Sequence, residues 1–205
     1  PQLAQAHPDI VVHIDTQTRP FLFADTTFDA ALYAGTPEQV AHWPGVQAQL
    51  LLHEDVVPVC SPRLLESAAP RGRGRAHQPV AAEALAELPL LQQSTRPYGW
   101  RQWFDAMGVD APHALDGPRY ELFSMLAVAA THGMGVALMP PLLIEAELAS
   151  GELVVACNRP LRGERAYYLI SPAQAQPPVL TTFAQWLQTM AQTATSAAGQ
   201  AGGGG

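Results

Sequence analysis

The sequence predicts an α/β fold, because strand-like and helix-like segments alternate along most of the chain. Residues 136–138 form a short apolar run typical of a buried strand, whereas Trp100, Trp103 and Phe104 have the i, i+3, i+4 spacing of an amphipathic helix. Such alternation is typical of domains with parallel sheets. The 205 residues suffice for one large domain or two small lobes. The long, mostly apolar run 46–60 predicts a strand that leaves one sheet and continues into another.

The first third of the chain has clear boundary signals. Pro8 ends a short helix, and the apolar runs 10–14 and 28–33 predict the first two strands. At the end of the run 46–60, Ser61-Pro62 predicts a strand end followed by a helix start, with Ser61 as the cap.

The remaining elements follow from apolar periodicity and from Gly and Pro boundaries. Gly108, Gly133 and Gly151 each end a helix, and Pro140-Pro141 begins one. The predicted helices are 80–87, 100–107, 123–132, 140–149 and 179–194, and the predicted strands are 88–92, 120–122, 136–138, 153–156 and 166–170. The tail 195–205 has too few apolar residues to fold, so we expect it to be disordered.

Composition argues against nucleic-acid contact by this segment. The net charge is −7 and all 11 basic residues are Arg, whereas a DNA-binding surface needs clustered positive charge. The Arg-Gly repeat at 71–75 is better interpreted as a solvated loop than as a nucleic-acid patch, because no aromatic residues are interleaved with it. No apolar run is long enough for a membrane span and no signal peptide is visible, so we expect no membrane contact and a cytoplasmic location.

Catalytic and metal-binding signatures are absent from the sequence. There is no Gly-x-Ser-x-Gly, His-Glu-x-x-His, Cys-x-x-Cys or phosphate-loop motif, so we expect no enzyme, no catalytic residue, no cofactor and no metal. His53, Glu54 and Asp55 follow one another on a strand, where neighbouring side chains point to opposite faces. This alternation disfavours a metal site shared by the three side chains. Cys60 and Cys157 lie in apolar runs, which favours two buried thiols over a disulfide or redox pair.

Four segments together carry a family resemblance. They are Val57–Leu65 (VPVCSPRLL), Phe28–Gly35 (FDAALYAG), Trp43–Gly45 (WPG) and Phe123–Pro140 (FSMLAVAATHGMGVALMP). In order and spacing they resemble the effector-binding, substrate-binding-like domain of LysR-type transcriptional regulators, in the branch with the glycine-cleavage activator and the β-lactamase regulator. The resemblance covers about residues 1–190.

The resemblance implies two Rossmann-like lobes joined by two crossover strands, a type II fold like that of periplasmic binding proteins. Lobe I would comprise residues 1–56 and 165–194, and lobe II residues 57–164. In the family a further strand and a winged helix-turn-helix precede this point, so the first strand of lobe I is expected to be missing. Ligands of such folds bind where strand ends of both lobes meet.

The resemblance also implies where an effector would bind. Thr16 and Gln17 would contact it from lobe I, although Thr16 is nearly as well explained as a helix cap. Ser94, Thr95 and Arg96 would do so from the loop after the strand 88–92, with Arg96 pairing a carboxylate unless it is only a solvated loop residue. Further candidates are Leu122, Phe123, Tyr167 on the second crossover strand, and Trp100, for which a core position is the stronger alternative. Leu122 stands where many relatives have Ser or Thr, which favours a more apolar or aromatic effector.

The function implied is that of a sensor. A small-molecule effector would bind between the lobes of a homodimer or homotetramer, and the winged helix-turn-helix, which is not part of this segment, would bind DNA. The alternative is a periplasmic solute-binding protein of a transport system, because the same fold serves both functions.

Overall fold

A computed structural model of the chain describes residues 2–17, 21–68, 79–174 and 177–201. The chain forms two compact units. Unit 1 comprises Pro1–Glu54 and Gly163–Gly205, and unit 2 comprises Asp55–Arg162. The lobe boundaries expected from the sequence, after residues 56 and 164, each lie two residues beyond the boundaries of these units, after residues 54 and 162.

Strands and helices alternate as the sequence predicts, and the fold is α/β. The helices are α1 (Gln2–Ala6), α2 (Pro37–Ala41), α3 (Pro62–Ala68), α4 (Ala82–Leu85), α5 (Gly99–Met107), α6 (Phe123–Thr131), α7 (Glu145–Ser150) and α8 (Pro178–Ala201). The strands are β1 (Ala31–Gly35), β2 (Val46–Cys60), β3 (Leu90–Gln93), β4 (Arg119–Tyr120), β5 (Val136–Met139), β6 (Val154–Val155) and β7 (Leu161–Pro172). Short 3-10 turns occupy Phe23–Asp25 and Pro141–Leu143.

The sheet of unit 2 is buried on both faces. Strand β5 pairs antiparallel with the end of β2 and parallel with β3, which in turn pairs parallel with β4. Along β5, Val136 and Leu138 pack into one hydrophobic cluster, whereas Ala137 and Met139 pack into another. Because successive side chains of a strand point to opposite faces, each cluster covers one face of the sheet.

Helices cover the two faces of this sheet. On one face, α5 buries Trp100, Trp103 and Phe104, and the indole Nε1 of Trp103 donates a hydrogen bond to the carbonyl of Arg159 at 2.9 Å. On the other face, α6 buries Leu126 together with three alanines. The small alanine side chains let α6 lie close to the strands.

Unit 1 contains an antiparallel pair of strands with an aromatic core. Strand β1 pairs with β7 in a register that places Ala31 opposite Ile170. Ala166, Tyr168 and Ile170 alternate along β7 and form the buried cluster, and Trp43 is one of the partly buried residues packed on it. The ring of Tyr33 meets that of Trp43 edge-on, with centroids 5.4 Å apart.

Three local predictions were wrong. Residues 10–14 pair with no strand of the described part of the chain, and Val11 and Ile14 are 76% and 89% exposed, because apolar character alone does not supply a ladder partner. The hydroxyl of Ser61 is buried without a hydrogen-bond partner instead of capping α3. Helix α8 continues to Ala201, past the end expected at residue 194, since its last residues are mostly Ala, Thr and Gln, of which Ala favours helix. The repeat at 71–75 and the final residues 202–205 lie outside the described residues.

Alanine substitutions at two glycines test how closely the chain before β4 packs against β3. Gly108 and Gly117 both have positive φ, 72° and 106°, so an alanine costs roughly 1–2 kcal/mol of backbone energy at either position. A Cβ at Gly117 would also collide with the carbonyl oxygen of Leu90, whereas a Cβ at Gly108 meets nothing within 4 Å. We expect Gly117→Ala to lower the unfolding free energy in urea by roughly 3 kcal/mol or more, and Gly108→Ala by about 1 kcal/mol. Equal losses would contradict this packing.

Candidate functional site

A buried glutamine joins the two chain segments that form the candidate site in unit 2. Gln93, the last residue of β3, is 7% exposed. Its side-chain Nε2 donates a hydrogen bond to the carbonyl of Glu121 at 3.0 Å. Its Oε1 accepts from the backbone N–H of Thr95 at 2.8 Å and from the Thr95 hydroxyl at 3.2 Å. The amide therefore fixes the loop after β3 against the residues that lead into α6.

The loop 94–96 presents two hydroxyl groups and one cation. The backbone N–H of Ser94 donates to the carbonyl of Tyr120 at 2.8 Å, and the side chains of Ser94 and Thr95 are exposed. Arg96 is half-buried, and its Nη1 donates to the Thr95 hydroxyl at 2.6 Å. The Arg96 guanidinium carbon lies 4.7 Å from the centre of the Phe123 ring, which is within the range of a cation–π contact.

The start of α6 completes this surface. Leu122 is the residue before the helix, has extended backbone angles (φ −108°, ψ 142°) and is 44% exposed. No side chain caps the helix at this position, because leucine has no acceptor for the first-turn N–H groups. These N–H groups carry the positive end of the helix dipole, so the surface combines anion-attracting amides with an exposed apolar side chain.

Five of the predicted site residues thus lie on two segments joined by Gln93: Ser94, Thr95, Arg96, Leu122 and Phe123. Trp100 has to be removed from this set. It is only 2% exposed, and its indole Nε1 donates to the carbonyl of Leu91 at 3.0 Å. Trp100 is therefore a core residue beneath the sheet rather than a residue that a ligand could contact.

The remaining predicted residues lie in unit 1. Thr16 and Gln17 are exposed, and both bond to Asp15: the Thr16 backbone N–H to Oδ1 at 2.7 Å and the Gln17 Nε2 to Oδ2 at 3.4 Å. The residues that a helix capped by Thr16 would need, 18–20, lie outside the described residues, so the helix-cap alternative for Thr16 stays a prediction. Tyr168 belongs to the core of unit 1, so its half-buried neighbour Tyr167 points to the opposite face of β7.

Sequence reasoning missed the two glutamines that organise the site. Gln92 is 1% exposed, and its Nε2 donates to the carbonyls of Ala114 and Asp116 at 3.1 and 2.6 Å. Like Gln93, it fixes a neighbouring loop to β3 through the backbone carbonyls of that loop. The sequence does contain a signal for them: two side-chain amides stand at the end of an otherwise apolar strand. A buried amide must find hydrogen-bond partners, so a role in holding neighbouring loops could have been predicted.

Neither thiol has the surroundings of a nucleophile or a metal ligand. Cys60 and Cys157 are buried and unlinked, and burial raises the pKa of Cys60 to about 12. Burial raises the pKa of Cys157 as well. Within the described ranges, no three His, Cys, Asp or Glu side chains come close enough together to hold a metal ion.

Comparison with known proteins identifies the family. The profile described as "LysR substrate binding domain" matches residues 1–192. The chain belongs to this family. It is 30% identical over 183 residues to the glycine cleavage system transcriptional activator of Escherichia coli K12, covering 89% of this chain and 56% of that protein. It is 31% identical over 188 residues to the transcriptional regulator TrpI of Pseudomonas aeruginosa, covering 91% and 60%.

Solved structures show the same fold. The AmpR effector-binding domain of Citrobacter freundii aligns with a TM-score of 0.76 at 22% identity, covering 94% of this chain and 88% of that one. The AmpR effector domain of Pseudomonas aeruginosa aligns with a TM-score of 0.76 at 24% identity, covering 97% and 88%. The two-lobed fold expected from the four sequence segments is therefore confirmed for this LysR-family domain.

The relatives also decide between the two functions considered from sequence. They are transcriptional regulators and not transport proteins, so the LysR-type assignment is confirmed and the solute-binding alternative gains no support. This LysR-family chain spans a little over half the length of the curated regulators that it matches. Among the described helices, none is both long and apolar enough to cross a membrane.

The burial of the two thiols predicts slow labelling. With its pKa near 12, Cys60 is a thiolate in only about one molecule in ten thousand at pH 8, so the folded domain should resist a thiol-specific reagent. We expect neither cysteine to react with Ellman's reagent in the native protein over minutes, and both to react at once in urea. Rapid native labelling of Cys60 would show that the end of β2 opens far more often than its burial implies.

Proposed function

We propose that this chain is the ligand-sensing part of a LysR-type transcription factor, and that it binds a small-molecule effector which controls transcription. The observation that carries the proposal is the joined surface in unit 2. There the polar loop 94–96 and the uncapped start of α6 are held together by the buried amide of Gln93. A pre-organised polar surface beside one exposed and one half-buried apolar side chain, Leu122 and Phe123, suits the recognition of a small ligand.

The chemistry of this surface favours an amphipathic anion. Arg96 offers a planar fork of donors that matches a carboxylate, and the first-turn N–H groups of α6 favour negative charge. Leu122 and Phe123 offer apolar contact next to these donors. We therefore propose an effector that carries a carboxylate and an apolar or aromatic group. Thr16 and Gln17, together with Tyr167, are proposed to contribute from unit 1.

The other functions of the whole regulator are proposed to lie outside this segment. We propose that a winged helix-turn-helix of the full-length protein binds DNA, because the net charge of −7 disfavours phosphate contact here. A DNA-bound regulator works in the bacterial cytoplasm, which is the location that we propose. We further propose that the domain performs no catalysis, since its relatives are transcriptional regulators.

We propose that the regulator is a homodimer or homotetramer, and the outer face of α6 supports self-association. Met125 and Val128 on this helix are 52% and 59% exposed, and Met134, which follows the helix, is 53% exposed. They line a surface groove of about 460 Å³ together with Tyr120, Ser124, Ala129 and His132. A contiguous apolar surface of this kind is typical of a protein–protein interface.

A ligand screen tests the proposed effector site. A thermal-shift screen against amino acids, aromatic carboxylic acids and cell-wall peptides should yield a compound that raises the melting temperature by mass action. Arg96→Gln should weaken its binding roughly tenfold or more, because a charge-assisted hydrogen bond is lost. Ser94→Ala in unit 2 and Thr16→Ala in unit 1 should each reduce the increase in melting temperature that the compound causes.

Two controls make this screen decisive. Arg101→Gln removes an exposed arginine of α5 and should leave the shift unchanged. The neutral amide of each active acid should stabilise the protein less than the acid does. If Arg96→Gln binds the acid as tightly as the parent, the proposed carboxylate site is wrong. If no compound raises the melting temperature of the parent or of the Arg101→Gln control, the proposed sensing function of the domain is itself contradicted.

A surface charge tests the proposed self-association. Val128→Asp places a carboxylate in the apolar groove on α6, and the desolvation cost should dissociate any assembly built on this face. We expect analytical ultracentrifugation to report a dimer or larger species for the parent and a monomer for the variant. Leu142→Asp, at a 40% exposed leucine that does not line the groove, is the matched control. An unchanged sedimentation profile for Val128→Asp would exclude the groove as the interface.

A further inference from the structure

A continuous chain of hydrogen bonds runs through the candidate site of unit 2 and ends at Arg96. The Nε2 of Gln93 donates to the carbonyl of Glu121 at 3.0 Å, and the Thr95 hydroxyl lies 3.2 Å from the Gln93 Oε1. The Nη1 of Arg96 donates to the same hydroxyl at 2.6 Å. Thr95 therefore stands between a buried amide, which backbone groups hold at both ends, and the cation of the loop 94–96.

The direction of each hydrogen bond in this chain is determined by the chemistry of its members. A backbone carbonyl only accepts and a backbone N–H only donates, so the contacts with Glu121 and with the Thr95 backbone fix which end of the Gln93 amide is Nε2 and which is Oε1. The Oε1 carries no hydrogen, so the Thr95 hydroxyl must donate to it. The Arg96 guanidinium has no acceptor, so the same hydroxyl must accept from Nη1.

This direction makes the Thr95 hydroxyl a poor partner for a carboxylate. A hydroxyl has one hydrogen, and in Thr95 that hydrogen is directed to Gln93. An ionised carboxylate only accepts hydrogen bonds, so Thr95 could bind it only by giving up its bond to an amide that is 7% exposed. A role behind Arg96 fits these contacts better than the direct effector contact that the family resemblance implies.

We propose that Thr95 is a positioning residue, whose hydroxyl transmits the fixed orientation of Gln93 to the Arg96 guanidinium and holds it against the Phe123 ring. This inference rests on the proposed function, in which Arg96 pairs with a carboxylate. The guanidinium carbon lies 4.7 Å from the centre of that ring. An arginine side chain loses much rotamer freedom when a ligand orders it, and a guanidinium that is already held in place loses less.

NMR of the ligand-free, ¹⁵N-labelled 205-residue chain tests this role. The Nε–H signal of Arg96, identified by its absence from Arg96→Gln, should be shifted by the ring current of Phe123, and Phe123→Leu should abolish that shift. In the nearly isosteric Thr95→Val, the signal should move towards its position in Phe123→Leu, and the order parameter of Nε should fall to below about 0.6, the range of a flexible group. The backbone N–H of Thr95 keeps its bond to Gln93 in this variant, so the loop stays attached.

Matched variants separate positioning from general structural damage. Thr95→Ser keeps the hydroxyl and should restore the parent signal, whereas Thr95→Ala should behave like Thr95→Val. Thr131→Val is the control, because it removes a hydroxyl that donates to the carbonyl of Val128 within α6 and should leave the Arg96 signal unchanged.

Three results would overturn the positioning role of Thr95. They are a parent-like Arg96 signal in Thr95→Val, an equal loss in Thr95→Ser, and an Arg96 signal that does not move in Phe123→Leu. Because these spectra are recorded without an effector, they do not depend on the ligand screen. Failure of that screen would contradict the proposed effector site, whereas failure here would contradict only the relay from Gln93 to Arg96.

Discussion

The position of the candidate site depends on one constraint, the burial of the unit 2 sheet on both faces. Because β5 and the end of β2 are covered on either side, their residues must be apolar and their strands are fixed in register. Strands β3 and β4 run parallel beside them, so their carboxyl ends come out at the same edge. Polar residues can appear only where the strands end, which is why Gln93 and the loop 94–96 lie beside the start of α6.

The elements with the strongest local patterns were predictable from sequence. The run 46–60 and the aromatic spacing of Trp100, Trp103 and Phe104 gave a strand and a helix at the positions where they occur. The segment 10–14 has an equally apolar sequence but forms no ladder with the described strands. The difference is physical, since a strand needs a neighbour that its own sequence does not specify, whereas a helix satisfies its hydrogen bonds internally.

The candidate site was predictable in its surface residues but not in its supports. The family resemblance pointed to the loop 94–96 and to the start of α6, and the structure brings these two segments of unit 2 together. It did not point to Gln92 and Gln93, because a glutamine within an apolar run is equally compatible with an exposed edge. Only the tertiary structure shows which carbonyl groups require those amides. Trp100 was a site candidate because it follows this loop in sequence, and its burial agrees with the stronger alternative, a core position.

Leu122 connects the stability of the domain with its proposed function. A Ser, Thr, Asp or Asn at this helix start would satisfy a first-turn N–H and add roughly 0.5–2 kcal/mol of stability. Leu122 does not cap α6, and its side chain is 44% exposed, so it stabilises neither the helix start nor the hydrophobic core. A bound carboxylate that accepts from the same N–H groups, with its apolar part covering Leu122, would satisfy both. The uncapped N–H groups and the exposed side chain of Leu122 would then add to the free energy of ligand binding. Such a difference between the ligand-free and ligand-bound states is what gives a sensor a preference for its bound form.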